Sequence, residues 1–94
     1  MMGISLILDE HEFDALDMLA ARENRSLTFE QLYTNVWNAG DYSDSRDVAR
    51  IKLEKLVDQV GEAGQGFMWI EYSPESGYTF RTWWAHNWKT QKNL

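Results

Sequence analysis

The sequence predicts an α+β domain in which a helix-turn-helix core is closed by a C-terminal β-hairpin. Three observations predict it. Two capping-box signatures each open an amphipathic stretch, a longer helical stretch follows a turn-rich loop, and two β-rich runs flank a Ser-Pro-Glu-Ser-Gly turn. Ninety-four residues hold one such domain and no second core. The apolar fraction of 44% and aromatic fraction of 14% suffice to build it and exclude a disordered chain.

In chain order, Ile4-Ser5-Leu6-Ile7-Leu8 alternates weakly and is β-branched at two places, which predicts a short strand. Asp9 is the expected N-cap of the first helix, with Glu12 completing a capping box. Phe13, Leu16, Leu19 and Ala20 then recur at helical spacing, and Ala15 and Met18 widen the stripe expected to face the core. The acids at the start suit the helix dipole, and Asn24-Arg25-Ser26 ends the pattern. Thr28 and Gln31 form the second box. Leu32, Val36 and Phe29 are the expected buried stripe of that shorter helix, with Tyr33 and Trp37 flanking it. Residues 38–45 are rich in turn formers and read as a loop.

Ser45 or Ser43 is expected to cap the third helix, which runs to about Val60 with Gly61 and Gly64 as stop signals. At about 100° per residue, Ala49, Leu53, Leu56, Val57 and Val60 fall in one arc and should face the core. Val48, Ile51, Lys52, Lys55 and Gln59 fall opposite, so the outer side carries two β-branched apolar residues beside two lysines. Arg46 and Arg50 lie nearer the core edge and are expected to pair with Asp47 or Glu54, or to reach out to phosphates. Phe67–Tyr72 and Tyr78–Trp83 are the expected hairpin strands around Ser73–Gly77.

Composition narrows the function. There is no cysteine, so disulfides, thiolate metal sites and a cysteine nucleophile are excluded. Apolar runs are too short for a membrane span, and the N-terminus lacks the pattern of a signal peptide, which makes the cytoplasm the default compartment. His11 and His86 stand alone, the serines lie in no nucleophile elbow, and Gly61, Gly64 and Gly66 make no phosphate loop. The carboxylates Glu10, Glu12, Asp14 and Asp17 are accounted for as a helix start. No catalysis, cofactor or metal is expected. The net charge of −6 argues against indiscriminate nucleic-acid binding. It is unevenly spread. Residues 1–45 carry nine acids against Arg22 and Arg25, or −7, whereas residues 46–94 carry seven bases against six acids, or +1. An anionic partner should meet the second half.

These pieces together resemble the winged helix-turn-helix effector domain of OmpR/PhoB-type response regulators. The first-helix pattern is similar to Leu8 through Leu19, followed by Leu27, Thr28, Glu30-Gln31-Leu32 and Val36-Trp37. The recognition-helix pattern is similar to Ala49, Ile51, Leu53, Leu56 and Val60. In the wing, Ile70 and Gly77-Tyr78-Thr79-Phe80 reproduce the family's spacing without a gap. The resemblance covers about residues 4–80. It implies three helices with a short N-terminal strand and a hairpin wing over 67–83, in a winged-helix domain of residues 1–82.

It also implies a sequence-specific, double-stranded-DNA-binding regulator, with recognition helix 46–60 in the major groove. On that reading Lys52 and Lys55 contact phosphate or a guanine edge, and Val48 and Ile51 pack on thymine methyls. Thr28 at the start of the second helix holds a phosphate, and Arg81 adds a backbone contact. The family's loop between helices two and three contacts RNA polymerase, which points to residues 38–45 here. Departures fall at the same contacts. Asp47 and Glu54 stand where the family often has Arg, residues 46–62 have a net charge of zero, and the wing tip has Pro74-Glu75 in place of Arg-Gly. Low affinity is therefore expected. The alternative is a degenerate winged helix that binds a protein and no DNA. The extension 83–94 carries three tryptophans in six residues: Trp83 is expected to complete the return strand, Trp84 and Trp88 to form a homodimer interface.

Overall fold

The structure, a computed structural model, describes residues 7–39, 42–43 and 45–83 of the chain. The first helix, α1 (Glu10–Ala21), begins at the expected capping box. The Asp9 carboxylate accepts from the Glu12 N–H at 2.8 Å, and the Glu12 carboxylate accepts from the Asp9 N–H at 3.0 Å. This satisfies two of the donors that a helix start leaves without intrahelical partners. The buried face of α1 is Glu12, Ala15 and Leu19, with Leu16 and Met18 partly covered. Phe13, expected in the core, is 60% exposed, and Ala20 is exposed too. The apolar residues of α1 span an arc of roughly 220° at about 100° per residue, so periodicity leaves the centre of its buried face open. The capping box decides it by turning Glu12 inward. The strand expected over 4–8 falls mostly outside the described residues, and Ile7 and Leu8 belong to no strand.

After β1 (Ser26–Leu27), the Thr28 hydroxyl accepts from the Gln31 N–H at 3.1 Å and opens α2 (Phe29–Leu32). The helix widens over Tyr33–Trp37 into a π-helical turn, where the Asn38 N–H reaches the Tyr33 carbonyl. The buried face is wider than the expected stripe. Trp37 and Tyr33 are not flanking residues but buried ones, and Trp37 is fully enclosed at the centre of the core. Within the stretch expected to be a loop, β2 (Asn38–Ala39) pairs antiparallel with β3 (Tyr42–Ser43). Residues 40, 41 and 44 lie outside the described set.

The third helix, α3 (Arg46–Gly64), starts at Ser45, whose hydroxyl accepts from the Val48 N–H at 3.2 Å. It runs one turn past the expected end. Gly61 does not stop it; Gln65 and Gly66 do, both with positive φ. Ala49, Leu53, Leu56 and Val60 are fully buried, and Val57 is partly so. Strands β4 (Met68–Ser73) and β5 (Gly77–Thr82) form the hairpin, and β1 adds to its outer edge to give a sheet ordered β1-β5-β4. Ile70, Tyr78 and Phe80 turn into the core shared with α3.

Gly77 explains the Gly-Tyr-x-Phe spacing. Its φ is 102°, and a β-carbon there would sit 2.2 Å from the Leu27 carbonyl oxygen and 2.8 Å from the Thr28 Cα. Only glycine allows β5 to approach the start of α2 so closely. Trp83 lies one residue past the end of β5, its N–H still donates to the Phe67 carbonyl at 2.7 Å, and its exposed ring meets Phe67 edge-on at 6.1 Å between ring centroids. Trp84 and Trp88 lie outside the described residues.

Candidate nucleic-acid interface

Four of the expected contact residues lie on the outer side of α3, and burying the opposite arc is what turns them outward. Val48 is 38% exposed, Ile51 is 59% exposed, and Lys55 is exposed on the same stripe. Their spacing of three and four residues makes one continuous face on the first three turns of the helix. That face combines apolar area with a cation, chemistry that suits thymine methyls and phosphates alike. The fourth residue, Lys52, sits at the edge of this face.

Lys52 is ion-paired with the carboxylate of Asp9, and its side chain is half-buried against the start of α1. Burial pushes the Asp9 carboxyl up, but the hydrogen bond from Lys52, the Glu12 N–H and the lysine charge outweigh it and hold its pKa below the usual range. Lys55 makes no ion pair with a described residue.

The two arginines of α3 do not pair with Asp47 or Glu54 in the described ion pairs. Arg46 bridges to Glu30 on α2 and lies 4.8 Å from the centre of the Tyr33 ring. The hydrogen bond between them lowers the Glu30 pKa and raises that of Arg46. Asp47 is next to Arg46 in sequence, and neighbouring helix residues do not face each other. Arg50 places its guanidinium 4.0 Å over the Phe29 ring, a cation–π contact across the helix-turn-helix. Both arginines thus brace α3 against α2.

Arg81 and Thr28 are engaged as well. Arg81 donates to Glu71 at 3.0 Å and to Asn24 at 3.1 Å, tying the hairpin to the end of α1. Thr28 is exposed, and its hydroxyl and N–H are both committed to Gln31. The described geometry therefore brings Val48, Ile51, Lys52 and Lys55 to one side and sets Thr28, Arg46 and Arg50 along the α2–α3 junction. Arg81 stands apart on the sheet. Asp47, Glu54, Asp58 and Glu62 are exposed along α3, and Glu75 is exposed at the wing tip.

The sequence reading missed the partners of these cations: Asp9, Glu30, Phe29, Glu71 and Asn24. Each is distant in sequence from its base. Asp9, the N-cap of α1, has a second oxygen left for Lys52. The −7 charge of the first half was the available signal, because acids so concentrated find bases on the other half once the chain folds. Among the described residues, no group of His, Asp and Glu is placed to hold a metal ion, and no helix is long and apolar enough to cross a membrane.

The chain matches the family described as "Transcriptional regulatory protein, C terminal" over residues 3–80, which spans every element from α1 into β5. No match to the chain was found among curated proteins.

Proposed function

We propose that this chain, which belongs to the OmpR/PhoB-type family of transcriptional regulatory C-terminal domains, binds duplex DNA by seating the outer side of α3 in the major groove. The observation that carries the reading is the exposed stripe of Val48, Ile51 and Lys55 on the longest helix. Val48 and Ile51 pack on thymine methyls, and Lys55 with Lys52 reaches phosphate or a guanine edge. Arg46 and Arg50 hold the angle between α2 and α3, and Thr28 and Arg81 lie at the flanks as auxiliary backbone contacts. Affinity is low because two α3 cations are paired internally and four exposed carboxylates line the same helix. The family is one of DNA-binding regulatory domains and not of enzymes, and such a domain acts in the compartment that holds duplex DNA.

The test is duplex retention and mobility at low salt. The double substitution Lys52→Glu, Lys55→Glu should abolish binding, and Lys55→Glu alone should weaken it severely. Unchanged mobility of both variants on DNA that the wild type retards would overturn the assignment.

A second reading has its own support: with Lys52 paired to Asp9, the exposed Val48 and Ile51 keep Lys55 as their one neighbouring cation among the described residues while four carboxylates line the helix, which also suits a protein partner. Absence of any DNA retention at low salt would favour it. Under either reading residues 38–45 are a contact for RNA polymerase, and Trp84 and Trp88 of the segment 83–94 mediate a homodimer. Truncation after Thr82 tests the extension: lost self-association with retained melting temperature supports it, and unchanged sedimentation rejects it.

A further inference from the structure

Beside the outer face of α3, about a third of a turn around the helix, a hollow of about 320 Å³ opens between α3 and the hairpin. Its helix side is Arg50, Glu54, Val57 and Asp58, and its hairpin side is Tyr72 and Tyr78. The tyrosines are directly opposed across β4 and β5, with ring centroids 4.8 Å apart at an angle of 45°. Tyr78 is buried and forms the floor, while Tyr72 is 53% exposed and forms a wall. Burial pushes the Tyr78 phenol pKa up, with Tyr72 and Glu54 adding to the effect and the Arg50 charge opposing it, which fits a hydroxyl held among those groups.

The charges of the hollow are sorted. Arg50 is drawn to one end, stacked on Phe29. Glu54 and Asp58, one helical turn apart, are exposed along the rim and belong to none of the described ion pairs. A half-exposed aromatic wall facing two carboxylates complements one kind of group: a planar cation that stacks on a ring while donating hydrogen bonds in its own plane. Guanidinium has that shape, whereas an ammonium lacks the plane. A phosphate would be repelled by the same carboxylates.

We propose that this hollow is a docking site for an arginine side chain presented by a basic segment of a protein partner. The guanidinium lies against Tyr72 and pairs with Glu54 and Asp58. The site lies toward the hairpin from Val48, Ile51 and Lys55, and its Asp58, three residues beyond Lys55 and seven beyond Ile51, borders the C-terminal end of their face. The inference does not require the DNA reading to hold.

The experiment titrates the whole chain with a five-residue peptide, acetyl-Gly-Arg-Gly-Arg-Gly-amide, and follows amide and aromatic chemical shifts. Counterparts carrying Lys or Glu in place of Arg serve as comparisons. The expected result is saturable shifts centred on Glu54, Asp58, Tyr72 and Tyr78, with weaker binding of the lysine peptide and none of the glutamate peptide. Glu54→Gln with Asp58→Asn should weaken the arginine peptide at least about tenfold, and Tyr72→Ala about threefold, on the scale of a lost exposed cation–π contact. Asp14→Asn with Asp17→Asn removes equal charge from α1 and should leave binding unchanged. Shifts spread over the whole acidic surface, equal loss in both double variants, or equal affinity for lysine would overturn the proposal. A parallel duplex titration reads Val48, Ile51 and Lys55, so loss of one site is distinguishable from loss of the other.

Discussion

Lys52 and Asp9 are joined across the domain, and Asp9 uses its two oxygens for different purposes. One accepts the Glu12 N–H and caps α1, and the other holds the Lys52 ammonium. A duplex approaching α3 must therefore compete with a carboxylate of the same molecule for one of the lysines that would contact it. This relationship sets the first two predictions.

Asp9→Asn keeps an N-capping side chain while removing the charge. Duplex affinity should rise about threefold to tenfold, and the dependence of binding on salt should steepen by about one counterion, as the Asp9 charge no longer competes with phosphate for Lys52. Fluorescence anisotropy of a labelled duplex at several salt concentrations measures both. An unchanged salt slope would show that Lys52 does not contact phosphate.

The same pair gives a pH dependence of stability with a definite sign. The Asp9 pKa is lower in the folded chain than its ordinary value of 3.8, so its contribution is present above that value. It is lost as pH falls through the lowered folded value. Melting temperatures of the wild type and Asp9→Asn should differ near neutrality and converge below pH 3.8. The neutral-pH difference should be small, under about 1 kcal/mol, because the pair is partly exposed.

Leu19 and Phe13 both belong to the apolar pattern of α1, yet they should respond oppositely to truncation. Leu19→Ala should cost about 2–5 kcal/mol, because Leu19 is fully enclosed. Phe13→Ser should change stability by no more than about 0.5 kcal/mol. Denaturant titration of the two variants measures the contrast, and equal losses would contradict the orientation of α1.

Gly77→Ala should be among the most damaging single-atom additions in the chain. The new methyl would meet the Leu27 carbonyl at 2.2 Å, and the backbone there has φ of 102°. A loss of about 3 kcal/mol or more in chemical denaturation is expected, from overpacking and backbone strain together.

Much of the architecture was legible because local chemistry and global packing agree in it. Asp9, Thr28 and Ser45 are short polar side chains in front of amphipathic runs, and each caps the helix expected of it. The arc of Ala49, Leu53, Leu56 and Val60 is narrow, so its burial could be computed from spacing alone. The arc of α1 is broad, and there spacing could not say that Glu12 turns in and Phe13 out. Phe29, Leu32, Tyr33, Val36 and Trp37 recur at ordinary helical spacing, and spacing alone could not say that the buried arc is wide enough to enclose Trp37. For the interface, the outward faces of Val48, Ile51 and Lys55 followed from that same arc. The pairings of Lys52 with Asp9 and Arg46 with Glu30 did not, because they join residues 43 and 16 positions apart. Only the folded chain brings them together.

The closeness of Gly77 to Leu27 and Thr28 has a mechanical consequence. With backbone against backbone there is no compliant side chain between the root of the hairpin and the first turn of α2. A push on the tip at Pro74 and Glu75 therefore reaches the N-cap of α2 through backbone alone.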